Sequence, residues 1–208
     1  MLSSPTYSLG EAMFALSIAG RVLSVTEDAI QYAGSIIDPS KATRIRWVRT
    51  NRYLNMVLID QERSIIVGDD VETISVLCTA PIGTGQREAE FQAAWEAIWT
   101  SAGLSITSNA LRELLEHGEV ALCGCKLEPA GIWIDGSWSF LKWSGKPRLV
   151  RWEELKISSS EADLVIQSLS DPSKTMVRSF NETDNAPVLD FLVRHLLEDN
   201  RFATLGKR

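Results

Sequence analysis

Two cysteines, Cys123 and Cys125, stand two positions apart in the sequence, and a pair of thiols can bind a metal ion. On a strand, side chains with this spacing share one face. Structural zinc sites usually separate paired cysteines by about two to four residues and need a second pair of ligands. Cys78, His117 and His195 form no recognisable second pair. We therefore expect buried free thiols, with no metal site and no cofactor.

Catalytic chemistry would need a nucleophile with a base beside it or a pair of acids with separated roles. His117 falls at the end of a predicted helix and His195 lies among leucines, and no Gly-x-Ser-x-Gly motif is present. The adjacent acids at Asp69-Asp70 and Glu153-Glu154 are typical of solvated turns and edges. The sequence therefore predicts that the protein is not an enzyme.

The charge balance argues against a dedicated nucleic-acid-binding protein. The chain carries 21 basic and 27 acidic residues, a net charge of −6. A nucleic-acid-binding domain is usually strongly basic. The densest basic run, Arg44 to Arg52, is expected to be a solvated outer face. Three cysteines, no positively charged start and no long apolar run predict a cytoplasmic protein without a transmembrane segment.

The most unusual segment runs from Trp133 to Trp152, which contains four of the seven tryptophans. Bulky apolar residues there would occupy both faces of a strand, yet a small sheet buries only one. The second face needs a cover, which could be the other half of the chain, a second subunit or an external ligand. The predicted binding residues are Trp138, Phe140, Lys142, Trp143, Lys146 and Arg148.

These residues must be positioned by helices and strands that the spacing of apolar residues predicts. A capping box at Ser8 and Glu11 favours a helix over Ser8–Ala19. Further helices are predicted at Phe91–Ala102, Asn109–His117 and Ala186–Asp199. Strands are predicted at 22–25, 29–32, 43–49, 54–59, 64–67, 73–79, 120–125, 131–135, 138–143, 148–155, 163–169 and 174–180. The polar run Asp60-Gln61-Glu62-Arg63 is predicted to turn between the strands on either side.

The second half of the chain repeats the element order of the first. Arg44-Ile45-Arg46-Trp47 is echoed by Arg148-Leu149-Val150-Arg151-Trp152, where an aliphatic residue and a Trp flank an Arg. Three other pairs share similar offsets, namely Gly20 with Gly118, Val22 with Val120, and Phe91 with Phe191. We therefore predict that the chain is an internal duplication, with two units of the same fold.

A run of short strands closed by one amphipathic helix resembles the pleckstrin-homology-like (PH-like) barrel used in tandem. PH domains often carry a Trp in the closing helix, where this chain has Trp95 in the first half and His195 in the second. The resemblance implies an α+β fold with two PH-like units, each a bent antiparallel sheet closed by a C-terminal helix. The units would be residues 1–104, with an N-terminal helix, and residues 105–208, with a preceding helix.

This architecture and the aromatic segment predict a non-catalytic cytoplasmic binding or scaffolding protein that acts through contacts with a protein partner or by self-association. The PH resemblance implies an alternative, peripheral attachment to anionic lipid through the hairpin at 137–148. Its basic residues, Lys142, Lys146 and Arg148, would meet the lipid headgroups.

Overall fold

Four small antiparallel sheets and three α-helices make up the part of the chain that the structure, a computed structural model, describes: residues 14–80, 85–134 and 146–205. The predicted α+β class is confirmed. The chain divides into two compact units. The first comprises Met1–Thr43 and Arg49–Ala102, and the second comprises Arg44–Val48 and Gly103–Arg208.

The first unit has a four-stranded sheet followed by a three-stranded sheet, each with its strands in sequence order. The strands of the first sheet are β1 (Phe14–Ile18), β2 (Arg21–Val25), β3 (Ile30–Tyr32) and β4 (Ser35–Ile37), and a 3-10 turn at Pro39–Lys41 leads out of it. Those of the second are β5 (Arg44–Leu54), β6 (Val57–Gly68) and β7 (Thr73–Ala80). Helix α1 (Gly85–Ile98) follows and continues into a π-helical turn at Trp99–Gly103.

The core of the first unit lies between the inward faces of these sheets and α1. Leu23, Ile30, Ile65 and Val76 are fully buried because alternate residues of a strand point to the same face. Helix α1 contributes Phe91, Ala94 and Ile98 to the core at helical spacing. Trp95 is half-buried and stacks on Trp99 with ring centroids 5.6 Å apart.

The second unit repeats this order after helix α2 (Leu104–His117). Its four-stranded sheet contains β8 (Val120–Leu122), β9 (Cys125–Glu128), β10 (Gly131–Ile134) and β11 (Arg148–Arg151). A 3-10 turn, Trp152–Glu154, leads to a three-stranded sheet of β12 (Leu155–Ser159), β13 (Asp163–Ser168) and β14 (Thr175–Ser179). Helix α3 (Ala186–Leu197) and a 3-10 segment, Glu198–Thr204, end the described chain.

The first residues of β5 belong to the second unit rather than to the first. The Ile45 N–H donates to Asn185 Oδ1 at 2.9 Å, and the Asn185 N–H donates to Ile45 O at 2.8 Å. Arg46 forms an ion pair with Asp184 at 3.4 Å. Trp47 stacks on Phe180 with ring centroids 5.6 Å apart. A segment from the first half of the chain is therefore built into the second unit.

Several predicted elements differ from the structure. Phe14–Ile18 is strand β1, so the helix predicted over Ser8–Ala19 is wrong there, and residues 1–13 lie outside the described residues. Asp60 to Arg63 lie within β6, and the chain turns instead at Asn55-Met56. The single strand predicted for Val120–Cys125 is a hairpin that turns at Cys123-Gly124. The other predicted helices and most of the predicted strands are confirmed, while the strand predicted at 138–143 lies outside the described residues.

The sequence echo does not mark equivalent positions. Arg44–Val48 opens β5, the first strand of a three-stranded sheet, whereas Arg148–Arg151 forms β11, the last strand of a four-stranded sheet. Trp152 follows in a 3-10 turn, where it is buried and donates from Nε1 to Glu128 O at 3.0 Å.

Two of the other sequence anchors are also wrong. Gly20 lies in the β1–β2 turn, whereas Gly118 ends helix α2. Val22 is in the second strand of its sheet and Val120 in the first. The similarity of the two units lies in the order of their strands.

Candidate functional site

Two of the six predicted binding residues lie in the part of the chain that the structure describes. Lys146 is exposed and lines a groove, whereas Arg148 is exposed in β11 and donates from Nη1 to Ser173 Oγ at 3.1 Å. The other four, Trp138, Phe140, Lys142 and Trp143, lie outside the described residues. The structure therefore brings Lys146 to a candidate site and gives Arg148 a partner within its own unit.

The groove lies at the end of the second unit's four-stranded sheet where β8 turns into β9. Its volume is about 830 Å³. Nine described residues line it: Ala121, Leu122, Cys123, Gly124, Cys125, Lys126, Trp133, Lys146 and Pro147. The lining is mainly apolar, with two lysines.

The strand register explains why an aromatic residue stands in this groove. The inward face of the sheet takes Leu122, Leu127, Ile132 and Val150, which are all buried. The alternate residues point outward, and pairing across the strands aligns them in one row. That row contains Ala121, Lys126, Trp133 and Leu149.

The first unit carries a different row on the outer face of its own four-stranded sheet. Its members are Ala15, Ser24, Gln31 and Ile36. Small and polar side chains therefore fill three of the four places, and the row has no aromatic residue. Among the described strands of the two four-stranded sheets, therefore, only the outer row of the second unit contains a tryptophan, Trp133.

The turn at the mouth of the groove is fixed by contacts from the three-stranded sheet and the chain before α3. Cys123 and Gly124 have φ angles of 54° and 70°, the left-handed pair that a tight two-residue hairpin turn requires. Arg178 Nε donates to Cys123 O at 2.7 Å and its Nη2 donates to Gly124 O at 3.4 Å. Cys123 Sγ donates to Asp184 O at 3.2 Å. These bonds hold the turn as a rigid wall of the groove.

The Cys123 thiol at the turn is held in the protonated form. Burial is the main cause that raises the pKa of the Cys123 thiol well above its ordinary value, and the neighbouring Cys125 adds to it. Cys125 Sγ donates to Leu122 O at 2.8 Å. The expectation that both thiols share one face of a strand is wrong, because Cys123 lies in the turn. Cys78 and Cys125 are buried, as predicted, whereas Cys123 is half-buried.

The two lysines of the groove differ in their electrostatic surroundings. Lys126 Nζ lies 3.1 Å from Glu119 Oε2 and 3.4 Å from Glu128 Oε2. Hydrogen bonding to Glu119, then to Glu128, raises the pKa of Lys126, so its charge is retained and locally balanced. Lys146 is exposed and has no ion-pair partner among the described residues.

Trp133 adds an unmet hydrogen-bond donor to the site. The ring is half-buried, and Nε1 is buried without an acceptor. A buried donor without an acceptor costs about 1–3 kcal/mol. The site therefore combines apolar surface with one unbalanced cation and one unsatisfied N–H.

Other residues considered from the sequence have structural contacts. Asp69 Oδ1 accepts from the N–H groups of Val71 and Glu72, each at 2.7 Å, and so closes the β6–β7 turn. Glu154 Oε2 accepts from Ser170 Oγ at 2.8 Å. In the basic run, Arg46 is half-buried by its contacts near α3, so the solvated face expected there is only partly exposed.

Two features of the described residues bear on metal binding and membrane insertion. No group of three or more His, Cys, Asp or Glu side chains among them is arranged to hold a metal ion. None of their helices is both long enough and apolar enough to span a bilayer.

Sequence reasoning found Lys146 but missed Cys123, Lys126 and Trp133 as groove residues. The available signal was the turn: a residue followed by Gly, between two short alternating strands, is typical of a two-residue hairpin. Placing the turn at Cys123-Gly124 puts Ala121 and Lys126 opposite each other on the outer face. Comparison of the chain with protein-family models, curated proteins and solved structures gives no match.

Proposed function

We propose that the protein is a non-catalytic binding or scaffolding protein, built from two PH-like units, whose second unit holds a protein partner in the groove beside Trp133. The observation that carries this proposal is the outward row of Ala121, Lys126, Trp133 and Leu149 next to exposed Lys146. Tryptophan is enriched among the residues that dominate protein interfaces, because it buries a large area at a small entropic cost.

The PH-like part of the proposal is supported by the order of the elements. In each unit a four-stranded antiparallel sheet precedes a three-stranded one, and a helix follows at the end. The bent sheets and closing helix of a PH domain follow the same sequence of elements. We extend this likeness to the proposal that residues 1–104 and 105–208 are two copies of one design.

A binding role is supported by what the reactive groups of the described residues do. Cys123 and Cys125 donate to backbone carbonyls, and Asp69 and Glu154 accept hydrogen bonds in turns. Each of these groups is used to fix the fold. A low, odd count of three cysteines is also typical of a reducing compartment, which supports the proposed cytoplasmic location.

A protein partner fits the site better than anionic lipid. Lipid attachment needs several free cations on one surface. Among the described residues, Arg148 donates to Ser173 and the charge of Lys126 is balanced by two glutamates, which leaves Lys146 of the cations considered. The net charge of −6 also opposes approach to a negative surface.

The test is site-specific photo-cross-linking in cells that express the full chain. A benzophenone amino acid replaces Ala121, which is exposed and lines the groove. The matched control replaces Gln31, which lies on the outer face of the first unit's sheet. We expect a discrete protein adduct from position 121 and none from position 31.

Lack of an adduct at position 121, or the same adducts from both positions, would contradict a groove that binds protein. Co-sedimentation with phosphatidylserine vesicles tests the lipid alternative directly. Vesicle binding that is lost on Lys146→Glu would favour lipid over protein.

A further inference from the structure

The unmet groups in the groove define what a ligand must supply. Lys146 offers a positive charge without an ion-pair partner among the described residues, and Nε1 of Trp133, whose ring lines the groove, is buried without an acceptor. Both are donors. A ligand that satisfies them must therefore bring hydrogen-bond acceptors, and the one beside Lys146 gains most from a negative charge.

Three other cationic side chains of the second unit have hydrogen-bond or ion-pair partners within that unit. Lys126 has two glutamates, Arg178 donates to the carbonyls of the Cys123-Gly124 turn, and Lys174 Nζ donates to Leu149 O at 3.4 Å. Among the described residues, a ligand anion therefore has one preferred place, beside Lys146. One carboxylate is enough to balance it.

The walls of the groove favour a ligand that is mainly apolar. Ala121, Trp133 and Pro147 present carbon atoms, and the groove is open to solvent rather than enclosed. Small-molecule pockets of about 300–1,000 Å³ usually enclose most of the ligand. An open groove of about 830 Å³ is better filled by a segment of another protein, because the rest of that protein shields the bound segment from solvent.

We infer that the groove binds a short apolar segment of a partner protein that carries a carboxylate, Asp or Glu, placed to pair with Lys146. This inference rests on the proposed function and specifies its partner. The apolar side chains of the segment pack on the Trp133 ring. A backbone carbonyl of the segment accepts from Trp133 Nε1, once the indole turns its N–H toward the groove.

The experiment is a selection of random twelve-residue peptides displayed on phage against the immobilised full chain. Enriched peptides are synthesised and their affinities measured by fluorescence anisotropy. We expect enriched peptides to combine apolar residues with Asp or Glu. Lys146→Glu should weaken their binding about tenfold or more, because it replaces an attraction by a repulsion.

The matched control is Lys156→Glu, since Lys156 is an exposed strand residue of the same unit outside the groove. This variant carries the same change in charge and should leave the affinity unchanged. Trp133→Phe keeps an aromatic ring without the N–H and should weaken binding about fivefold, the usual effect of one lost neutral hydrogen bond. Unchanged affinity in Trp133→Phe would refute the assigned contact to Nε1.

Failure of this inference can be told apart from failure of the proposed function. Enriched peptides without acidic residues, or equal affinities for the Lys146→Glu and Lys156→Glu variants, would overturn the acidic segment. A cross-link at position 121 would then still support a protein-binding groove. If no peptide is enriched and no cross-link forms, both proposals fall.

Discussion

Asn185 holds the start of β5 inside the second unit, and its substitution gives a measure of how tightly that segment is held. Its side-chain Oδ1 accepts from the Ile45 N–H at 2.9 Å while its own N–H donates to Ile45 O at 2.8 Å. Its carbonyl accepts from the Leu189 N–H at 2.9 Å in the first turn of α3. Asn185 thus forms a pair of hydrogen bonds with Ile45, similar to a β-bridge, and also accepts a hydrogen bond from the first turn of α3.

Asn185→Gly isolates the side-chain hydrogen bond. Asn185 has a φ of 63°, a conformation that Gly adopts freely, so the backbone needs no rearrangement. Ile45 is fully buried, and its N–H would lose its acceptor. A buried N–H without a partner costs about 1–3 kcal/mol, so we expect a loss of about 2 kcal/mol in the free energy of unfolding.

Asn185→Ala and Asn185→Asp serve as matched comparisons. Alanine loses the same acceptor and also places a side chain in the left-handed region, which adds about 1 kcal/mol to the loss. Aspartate keeps an oxygen in the same place, so we expect a change of less than about 0.5 kcal/mol. The predicted order of stability is therefore wild type and Asp, then Gly, then Ala.

Urea denaturation of the purified full chain measures the free energies, and hydrogen exchange of the Ile45 amide reports on the bond itself. We expect protection of this amide to fall in the Gly and Ala variants and to persist in the Asp variant. If the Gly variant exchanges Ile45 as slowly as wild type, the side chain of Asn185 does not hold the segment. Arg44–Val48 would then not be anchored in the second unit by this contact.

Two further predictions concern the four-stranded sheet of the second unit. Gly131→Ala should lower the free energy of unfolding by about 3 kcal/mol, because a Cβ there would lie 2.1 Å from Val150 O at a φ of 151°. The control, Gly118→Ala, meets no atom within 4 Å and should lower it by about 1 kcal/mol. Equal losses of stability in thermal unfolding would contradict this. At about pH 8, Cys123 should react with iodoacetamide at least tenfold more slowly in the native protein than in urea, because its raised pKa leaves little thiolate. Mass spectrometry measures both rates, and equal rates would show that the thiol has an ordinary pKa.

The parts of the fold that the sequence predicted are those fixed by local patterns. Helix α2 has apolar residues at helical spacing and ends at Gly118, whose φ of 77° and N–H bond to Leu114 O make a left-handed cap. Helix α3 begins at Ala186, as predicted, and carries Pro187 in its first turn. Such signals lie within a few residues of each other, so they can be read without knowing the tertiary structure.

The predicted elements that were wrong are those decided by pairing with distant residues. In Phe14–Ile18 the residues Phe14, Leu16 and Ile18 alternate, which suits a strand, but Leu16 also fits the helical spacing of the preceding apolar residues. Pairing with β2 selects the strand. The polar run from Asp60 to Arg63 has turn-like composition, yet from Gln61 onward it pairs with β7, and the turn falls at Asn55-Met56 without any glycine.

The candidate site could be predicted only in part for the same reason. Lys146 was found from composition, because it follows the aromatic segment. Trp133 belonged to the same aromatic segment, but its place in the groove depends on register across three partners, Ala121, Lys126 and Leu149. No local pattern gives that register, since it depends on where each hairpin turns.

The echo between the two Arg- and Trp-containing segments shows how a local likeness can coexist with different structural roles. Trp47 lies in the segment of β5 held by the second unit and stacks on Phe180, whereas Trp152 is buried in a 3-10 turn and stacks on Phe202 at 6.0 Å. Both tryptophans therefore stabilise the second unit, and neither lines its groove. Trp133 differs from them because its ring lines the groove and its Nε1 lacks an acceptor. Among these three, Trp133 is the one whose substitution should change binding more than stability.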